Sequence, residues 1–213
     1  MKTIIFDMGM VLVNFRWRNL LDDMGYDKKK KEGLAKAMFQ SPLWEDFDWG
    51  IRGDETIFAQ MKKEAPEYAE EMNHIWKHFY EICVPFDYSE DLVSTLHEKG
   101  FKIYILSNYG KTLLEHTRPN FPFLSLVDGE VFSFDVHQIK PHRDIYETLL
   151  KRYDISPENA VFFDDLKANC EAAKALGIDA VHVKDGLASI LEGLERKCDV
   201  SLPELKKYMG DRR

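Results

Sequence analysis

Three groups of polar residues follow short apolar runs and a fourth lies in the segment after Phe134, and together their side chains could bind a metal ion and a phosphate. The groups are Asp7 after Ile-Ile-Phe, Ser107-Asn108 after Ile-Tyr-Ile-Leu, Lys140-Pro141, and Asp164-Asp165 after Val-Phe-Phe. Carboxylates in this number bind a hard cation such as Mg²⁺, while a lysine and a serine can hold and neutralise a phosphoryl group. The residue types therefore predict a magnesium site for a phosphorylated ligand.

Each group also has a simpler explanation when it is taken alone. Asp7 is suited to a turn after a strand, Ser107 could cap the next helix, and Lys140 is suited to the surface. The adjacent carboxylates of Asp164 and Asp165 repel each other, however, and a bound cation would relieve that repulsion. The four groups taken together favour the site.

Strand-like and helix-like segments alternate along most of the chain, which is typical of a parallel sheet covered by helices on both faces. In such sheets, ligands bind beyond the carboxyl ends of the strands, where we expect the four polar groups to converge. The predicted strands are 3–6, 102–106, 130–134, 160–163 and 180–183, and the predicted helices include 110–117, 143–153, 168–176 and a short closing helix at 202–208.

Between residues 15 and 85 the apolar residues recur at helical spacing. Asp54 marks one helix start, and Pro66 is expected in the first turn of the next helix. We therefore predict an α/β fold, a doubly wound parallel sheet with an inserted all-helical cap. The predicted core is 1–14 and 86–213, and the predicted cap is 15–85.

The composition limits the classes of partner. The chain has 213 residues and a net charge of -8, and an acidic surface repels nucleic acid. The three cysteines, Cys83, Cys170 and Cys198, form no disulfide framework or CxxC site, which favours a cytoplasmic protein. The first residues are not typical of a signal peptide, and no run predicts a membrane span. The sequence does not indicate an oligomeric state.

The ordered motifs resemble those of the haloacid dehalogenase-like (HAD) hydrolases over nearly the whole chain. The Phe-Asp-x-Gly start, the segment 49–55 and the Phe-Phe-Asp-Asp ending resemble bacterial sugar-phosphate phosphatases of the glucose-1-phosphate type, which have a small helical cap. The resemblance implies a Rossmann-like core and Mg²⁺-dependent hydrolysis of a small phosphorylated metabolite. A sugar phosphate is the leading example of such a phosphomonoester.

The resemblance also implies roles for the acidic residues. Asp7 would attack phosphorus and form an aspartyl-phosphate, because covalent catalysis divides one difficult step into two. Asp164 would be a further metal ligand or would support the ligands. The implied magnesium ligands are Asp7, the backbone carbonyl of Gly9, and Asp165.

The remaining motif residues are implied to bind the phosphate or to support the site. Ser107 and Asn108 would donate hydrogen bonds to the phosphoryl oxygens. Lys140 would pair with the phosphate and with the nucleophile, so we assign it a catalytic role as well. Asn169 would support the metal loop. The cap would close over the leaving group and exclude water.

Gly9 departs from the pattern of most phosphatases in this family. They carry a second Asp at this position, which protonates the leaving oxygen and later activates water. Asn14 also stands where Asp is common in the subgroup. Two alternatives therefore stay open: a 2-haloacid dehalogenase that attacks carbon through Asp7, and a non-catalytic phosphate-binding protein.

Several other residues could reach a substrate. His137 and His142 could bind a metal or carry a proton, and His142 is a candidate for the missing proton carrier, but both are more typical of an exposed loop. Trp44, Phe47 and Trp49 could stack on a sugar or belong to the core. Finally, Arg16 or Arg18 could reach an anion or form part of a solvated face.

Overall fold

A five-stranded parallel sheet forms the centre of the computed structural model, which describes residues 2–210. The strands are β1 (Thr3–Phe6), β2 (Val13–Phe15), β3 (Cys83–Pro85), β4 (Ile103–Ser107), β5 (Gly129–Phe132), β6 (Ala160–Asp164) and β7 (Asp179–His182). The sheet order is β5-β4-β1-β6-β7, and all neighbouring pairs run parallel. This order places β1 between β4 and β6, so their carboxyl ends lie side by side.

Successive side chains along a strand point to opposite faces of the sheet. Both faces of this sheet are buried. Phe6 and Phe163 pack on one face, with their ring centroids 5.1 Å apart. Ile5 and Phe162 pack on the other face together with Tyr146. Continuous apolar strands of this kind are typical of a sheet that is covered by helices on both sides.

The helices surround this sheet and also fill the interval between β2 and β3. The α-helices are α1 (Trp17–Asp23), α2 (Lys28–Ala37), α3 (Leu43–Trp49), α4 (Asp54–Glu64), α5 (Ala69–Lys77), α6 (Ser89–Glu98), α7 (Lys111–Thr117), α8 (Ser133–Val136), α9 (Arg143–Arg152), α10 (Lys167–Ala175) and α11 (Leu187–Cys198). Short 3₁₀ helices lie at Pro66–Tyr68, Phe79–Ile82, Arg118–Asn120, Pro122–Ser125, Pro157–Asn159 and Pro203–Gly210.

The predicted α/β fold is confirmed, with differences at element ends. The strand predicted over 130–134 ends at Phe132, and α8 begins at Ser133. Ser133 is buried, and its hydroxyl accepts a hydrogen bond from the Tyr109 backbone N–H at 3.0 Å. That contact holds Ser133 beside the segment after β4. The closing helix predicted at 202–208 is a 3₁₀ helix.

The interval predicted as an all-helical cap is helical from α1 to the 3₁₀ helix at Phe79–Ile82, but both its ends are strands. β2 and β3 pair antiparallel, with Val13 opposite Pro85 and Phe15 opposite Cys83. Strands of three residues are too short to show an alternating pattern, so the sequence did not predict this ribbon. The domain boundaries themselves stay a prediction, and residues 1 and 211–213 of the predicted core lie outside the described residues.

Among residues 2–210, no helix has both the length and the apolar character that crossing a membrane would require.

Candidate active site

The polar groups at the carboxyl ends of β1, β4 and β6 meet in one place. Asp7 follows β1 directly, Ser107 is the last residue of β4, and Asp164 is the last residue of β6. All three are buried, and Lys140 is buried beside them. Parallel strands bring their carboxyl ends to the same edge of a sheet, so the convergence follows from the topology.

Three donors converge on one oxygen of the Asp7 carboxylate. The Met8 backbone N–H donates to Oδ1 at 2.7 Å, and the Ser107 hydroxyl donates to it at 2.7 Å. The Lys140 ammonium lies 2.8 Å from the same oxygen. Burial raises the pKa of Asp7 to about 7, although Lys140 opposes the shift. Within residues 2–210, Oδ2 receives no hydrogen bond and is available to a ligand.

Lys140 bridges two carboxylates. Its Nζ lies 2.8 Å from Asp7 Oδ1 and 2.7 Å from Asp164 Oδ2. Burial alone would lower the pKa of Lys140, but the negative charges of Asp164 and Asp7 outweigh burial and raise it. The side chain therefore stays an ammonium, and a buried charge with two partners of opposite sign is compatible with a stable fold.

The two adjacent acidic residues after β6 have different surroundings. The side-chain N–H₂ of Asn169 donates to both oxygens of Asp164 at 3.0 Å, and the Leu166 backbone N–H donates to Oδ1 at 2.8 Å. Asp164 is thus held from the protein side. Asp165 is half-buried and lines a cavity, and burial, aided by the charge of Asp164, raises its pKa to about 6.

The carboxylates form a set that fits a divalent cation. One oxygen each from Asp7, Asp164 and Asp165 can be chosen so that all three lie within 4.8 Å of one another. Mg²⁺ prefers oxygen ligands and is commonly bound through one or two carboxylates. Gly9 also borders the cavity, and among the described residues no backbone N–H occupies its carbonyl. The predicted ligand set is therefore chemically suited to magnesium.

Asn108 contacts the backbone of Lys140 with both ends of its amide. Its Oδ1 accepts from the Lys140 N–H at 2.8 Å, and its Nδ2 donates to the Lys140 carbonyl at 3.0 Å. The role of Asn108 in phosphate binding stays a prediction. One Nδ2 hydrogen has no partner in these contacts and could be donated to a phosphate. The observed contacts give Asn108 a second task, which is to fix the loop that carries the lysine.

A cavity of about 240 Å³ opens from these groups toward the helices that follow β2. The end of the cavity nearest the carboxylates is formed by Asp7, Gly9, Lys140 and Asp165. Its other lining residues are mostly apolar, and several are aromatic. They are Met10, Val13, Phe15, Trp44, Phe47, Asp48, Asp54, Phe79, Cys83, Asn108, Tyr109, Gly110, Leu113, Leu166 and Asn169.

Several sequence candidates lie outside this cavity. His142 is exposed and packs against Trp49, with ring centroids 5.7 Å apart, while His137 Nδ1 lies 3.0 Å from the Trp49 carbonyl oxygen. Arg16 pairs with Asp23, and Arg18 stacks on Trp17 at 4.1 Å. Of the three aromatic candidates, Trp44 and Phe47 line the cavity and Trp49 does not.

Asp48 is a cavity residue that the sequence reasoning missed. It lies one helical turn after Trp44, so both side chains can point to the same side of α3. The signal in the sequence was an acidic residue four positions after Trp44, in a helix rich in aromatic residues. α3 ends at Trp49 and is capped by Gly50, whose φ is 62°; a Cβ at Gly50 would lie 2.7 Å from the Phe134 Cα. Only glycine permits that approach, which fixes the end of α3.

A family model of the haloacid dehalogenase-like hydrolases matches residues 1–177 of the chain. The chain belongs to the haloacid dehalogenase-like hydrolase family. This confirms the family that the motifs predicted, and with it a hydrolase.

Relatives of this HAD hydrolase with similar length include two that are named phosphatases. A sesquiterpene phosphatase of Aspergillus oryzae is 27% identical over 90% of this chain and 94% of its own. A D-ribitol-5-phosphate phosphatase of Bacteroides thetaiotaomicron is 23% identical over 87% of this chain and 93% of its own.

A solved structure of a HAD-family enzyme from Bacteroides thetaiotaomicron has the same fold, with a TM-score of 0.72 and 21% identity. The match covers 87% of this chain and 96% of that enzyme, which was solved in complex with magnesium and inorganic phosphate.

Proposed function

We propose that this HAD hydrolase is a magnesium-dependent phosphatase that hydrolyses a small phosphomonoester through an aspartyl-phosphate on Asp7. The observation that carries the proposal is the Lys140 ammonium, which bridges Asp7 and Asp164 beside the cavity-facing Asp165. This combination supplies a nucleophile, a fixed cation and carboxylates for a metal. The two relatives named as phosphatases support the same reaction class.

The proposed attacking atom is Asp7 Oδ2, because the described donors converge on Oδ1. As the bond from Oδ2 to phosphorus forms, the bond from phosphorus to the leaving oxygen breaks, and that oxygen takes up a proton. Water then attacks the phosphorus of the aspartyl-phosphate, which releases inorganic phosphate and restores Asp7. The third hydrogen of the Lys140 ammonium would bond to a phosphoryl oxygen, and the Ser107 hydroxyl would turn its single hydrogen from Asp7 Oδ1 to the phosphoryl group. Bound Mg²⁺, held by Asp7, Asp165 and the Gly9 carbonyl, would neutralise phosphoryl charge.

The dehalogenase alternative is less compatible with the charges at the site. A 2-haloacid carries its own carboxylate, which would have to lie close to the carboxylates of Asp7, Asp164 and Asp165. Lys140 is already paired with two of them. A phosphate together with Mg²⁺ suits this set better, because the cation balances the acidic groups.

The test is phosphate release from a panel of phosphomonoesters with Mg²⁺, for the wild type and for Asp7→Asn. We expect release from some panel members and a loss of about a thousandfold or more in Asp7→Asn. Asp144→Asn, on the exposed part of α9, is the matched control and should keep full activity. Folded, metal-bound wild type without phosphate release would contradict the proposal. Metal-independent chloride release from a 2-haloacid would favour the dehalogenase instead.

A further inference from the structure

The cavity wall beyond the catalytic groups is largely apolar. Rings and aliphatic side chains provide it, and they come from β2, from the helical interval and from the segments after β4 and β6. The apolar lining residues are Met10, Val13, Phe15, Trp44, Phe47, Phe79, Cys83, Leu113 and Leu166. Apolar surface of this kind gains free energy when it covers carbon atoms of a ligand.

Ring packing holds this wall in place before any ligand arrives. Trp44 is the central ring, and its centroid lies 5.7 Å from that of Phe15, 5.7 Å from that of Phe47 and 5.8 Å from that of Phe79. Phe47 and Phe79 are buried. A wall built from mutually packed rings cannot readily turn polar groups toward a ligand.

Most polar groups that border the cavity already have partners within the protein. The Tyr109 hydroxyl lies 3.1 Å from Thr117 Oγ1, and Asp54 Oδ2 accepts from the Thr112 N–H at 2.8 Å. Asn108 bonds to Lys140, and Asn169 bonds to Asp164. A sugar bound here would lose hydrogen bonds to water without replacing most of them, which is costly for each hydroxyl.

We infer that the alcohol released at this site is apolar, so that the substrate is the phosphate monoester of a hydrocarbon alcohol rather than of a sugar. This inference rests on the proposed phosphatase function and narrows its substrate class. The phosphate would bind at Lys140 and Ser107, and the carbon chain would lie along the rings around Trp44.

The experiment compares n-octyl phosphate with ribitol 5-phosphate, because both release a primary alcohol and differ mainly in polarity. We expect kcat/KM for the octyl ester to be higher by about tenfold or more. Leu166→Gln should reduce that value about fivefold, mainly through KM, and should lower the ratio of the octyl to the ribitol kcat/KM. Leu166 is 56% exposed, so the variant should fold. The matched control is Ile51→Gln, since Ile51 is exposed and lies outside the cavity.

A binding measurement separates failure of this inference from failure of the proposed function. The dissociation constants of both esters are measured by calorimetry on Mg²⁺-loaded Asp7→Asn, where tighter binding of the octyl ester supports the inference. Faster Asp7-dependent hydrolysis of the ribitol ester overturns the inference and leaves the phosphatase intact. If no ester of the whole phosphomonoester panel is hydrolysed, the proposed function fails, and the order of the two dissociation constants still decides whether the cavity selects an apolar ligand.

A second inference concerns the proton that the leaving oxygen needs, and it rests on a different residue. Asp48 is half-buried and lines the same cavity as Asp7 and Lys140. The other acidic residue on that side, Asp54, is bound to the Thr112 N–H. In the described part of the chain, no hydrogen bond reaches the Asp48 carboxylate, so it is free to contact a ligand.

The charged groups that act electrostatically on Asp48 come from several elements. They are Lys140, Asp7, Glu45 and Asp54. Burial raises the pKa of Asp48 to about 7; Lys140 opposes this, while the three carboxylates add to it. A carboxyl group in such surroundings can hold a proton near neutral pH and release it in a reaction.

We propose that Asp48 is the catalytic acid and base that Gly9 does not supply. The protonated carboxyl gives its proton to the leaving oxygen as the bond to phosphorus breaks, and becomes a carboxylate. That carboxylate then takes a proton from the water that attacks the aspartyl-phosphate, which restores the acid. Each cycle therefore begins and ends with the same protonation state.

The test uses leaving groups of different basicity in single-turnover experiments. Asp48→Asn should slow alcohol release from n-octyl phosphate about a hundredfold or more. It should slow the first burst of p-nitrophenolate from p-nitrophenyl phosphate much less, because that anion leaves without a proton. Asp46→Asn, on the same helix, is the control and should affect neither rate. Asp48→Glu keeps the acid and should retain more activity than Asp48→Asn.

A purely structural role would slow both substrates equally. Equal losses in the first turnover, or no loss with the octyl ester, would overturn the assignment of Asp48. Both variants are checked for a native unfolding transition before the comparison, and Asp48→Glu serves as the second variant if Asp48→Asn does not fold.

Discussion

The side-chain amide of Asn108 makes two hydrogen bonds to the backbone of Lys140, one to its N–H at 2.8 Å and one to its carbonyl at 3.0 Å. This contact joins the loop after β4 to the loop that carries the only cation bridging Asp7 and Asp164 among the described residues. The position of the ammonium therefore depends on an amide more than thirty residues earlier in the chain.

Asn108→Ala should weaken both stability and turnover. Removing the amide leaves two backbone groups of Lys140 without partners, which costs about 1–3 kcal/mol in the free energy of unfolding. We also expect kcat to fall about tenfold or more, because a displaced Lys140 ammonium would no longer orient the reacting groups. Urea unfolding and steady-state kinetics measure the two effects. Gln60→Ala removes a side-chain amide whose hydrogen bond to Glu64 is exposed to solvent, and it should change neither quantity.

Lys140→Met should destabilise the fold because it leaves two buried carboxylates without their cation. Removing one partner of a buried pair typically costs about 3–5 kcal/mol. A second change, Asp164→Asn, should restore part of that loss by removing one of the charges. Activity should stay absent in both variants, because both lack Lys140, the cation proposed to bind the phosphate. Urea unfolding of the single and double variants tests this, and equal stability of the two would contradict the proposed cause.

The stabilising effect of Mg²⁺ should grow as the pH rises from 5.5 to 8. Burial raises the pKa of Asp7 to about 7 and that of Asp165 to about 6, both above the ordinary value of 3.8. The metal-free folded state thus binds these protons more tightly than the unfolded state, and it loses that stabilisation as the pH rises through those values. The same deprotonation prepares both residues to bind a cation.

Thermal unfolding with and without Mg²⁺ at several pH values measures this effect. The gain in Tm from Mg²⁺ should be small at pH 5.5 and several degrees at pH 8. Asp165→Asn should remove most of the gain, whereas Asp185→Asn, an exposed control, should not. A gain in Tm that does not depend on pH would show that these carboxylates are not the ligands.

Much of the core and of the polar edge of the sheet could be predicted from the sequence, because strong local patterns encode them. The buried run before Asp7 and the one before Asp164 are continuous, so each strand and the polar residue after it were recognisable. The sequence could not predict which oxygen of Asp7 the donors approach, since that depends on contacts between distant segments. The hydrogen bonds between the Asn108 amide and the Lys140 backbone could not be predicted for the same reason.

The substrate cavity was less predictable than the core. Trp44 and Trp49 lie in the same short helix, yet only Trp44 lines the cavity. The difference depends on how α3 is placed against α8, where the Gly50 backbone meets Phe134. No local pattern encodes that contact, and Asp48 was missed because its neighbourhood is formed by residues far away in the chain.

Gly9→Asp should be tolerated and should raise turnover of alkyl phosphates. A Cβ at Gly9 would have no atom within 4 Å, apart from its own chain neighbours, so the new side chain has open space at the end of the cavity that Asp7, Lys140 and Asp165 form. A carboxyl group there would provide a second proton carrier beside Asp7, and general acid catalysis contributes about a hundredfold or more when well placed. We expect a rise in kcat of about tenfold, because Asp48 would already perform part of this task.

Gly9→Asn is the matched control for that experiment, since it has nearly the same size but cannot donate a proton as an acid. It should leave kcat unchanged or lower it. The decisive measurement is kcat with n-octyl phosphate for both variants in the Asp48→Asn background, where Gly9→Asp should restore activity and Gly9→Asn should not. Equal activities of the two Gly9 variants, both folded and both binding Mg²⁺, would refute the view that an acid is what this position lacks.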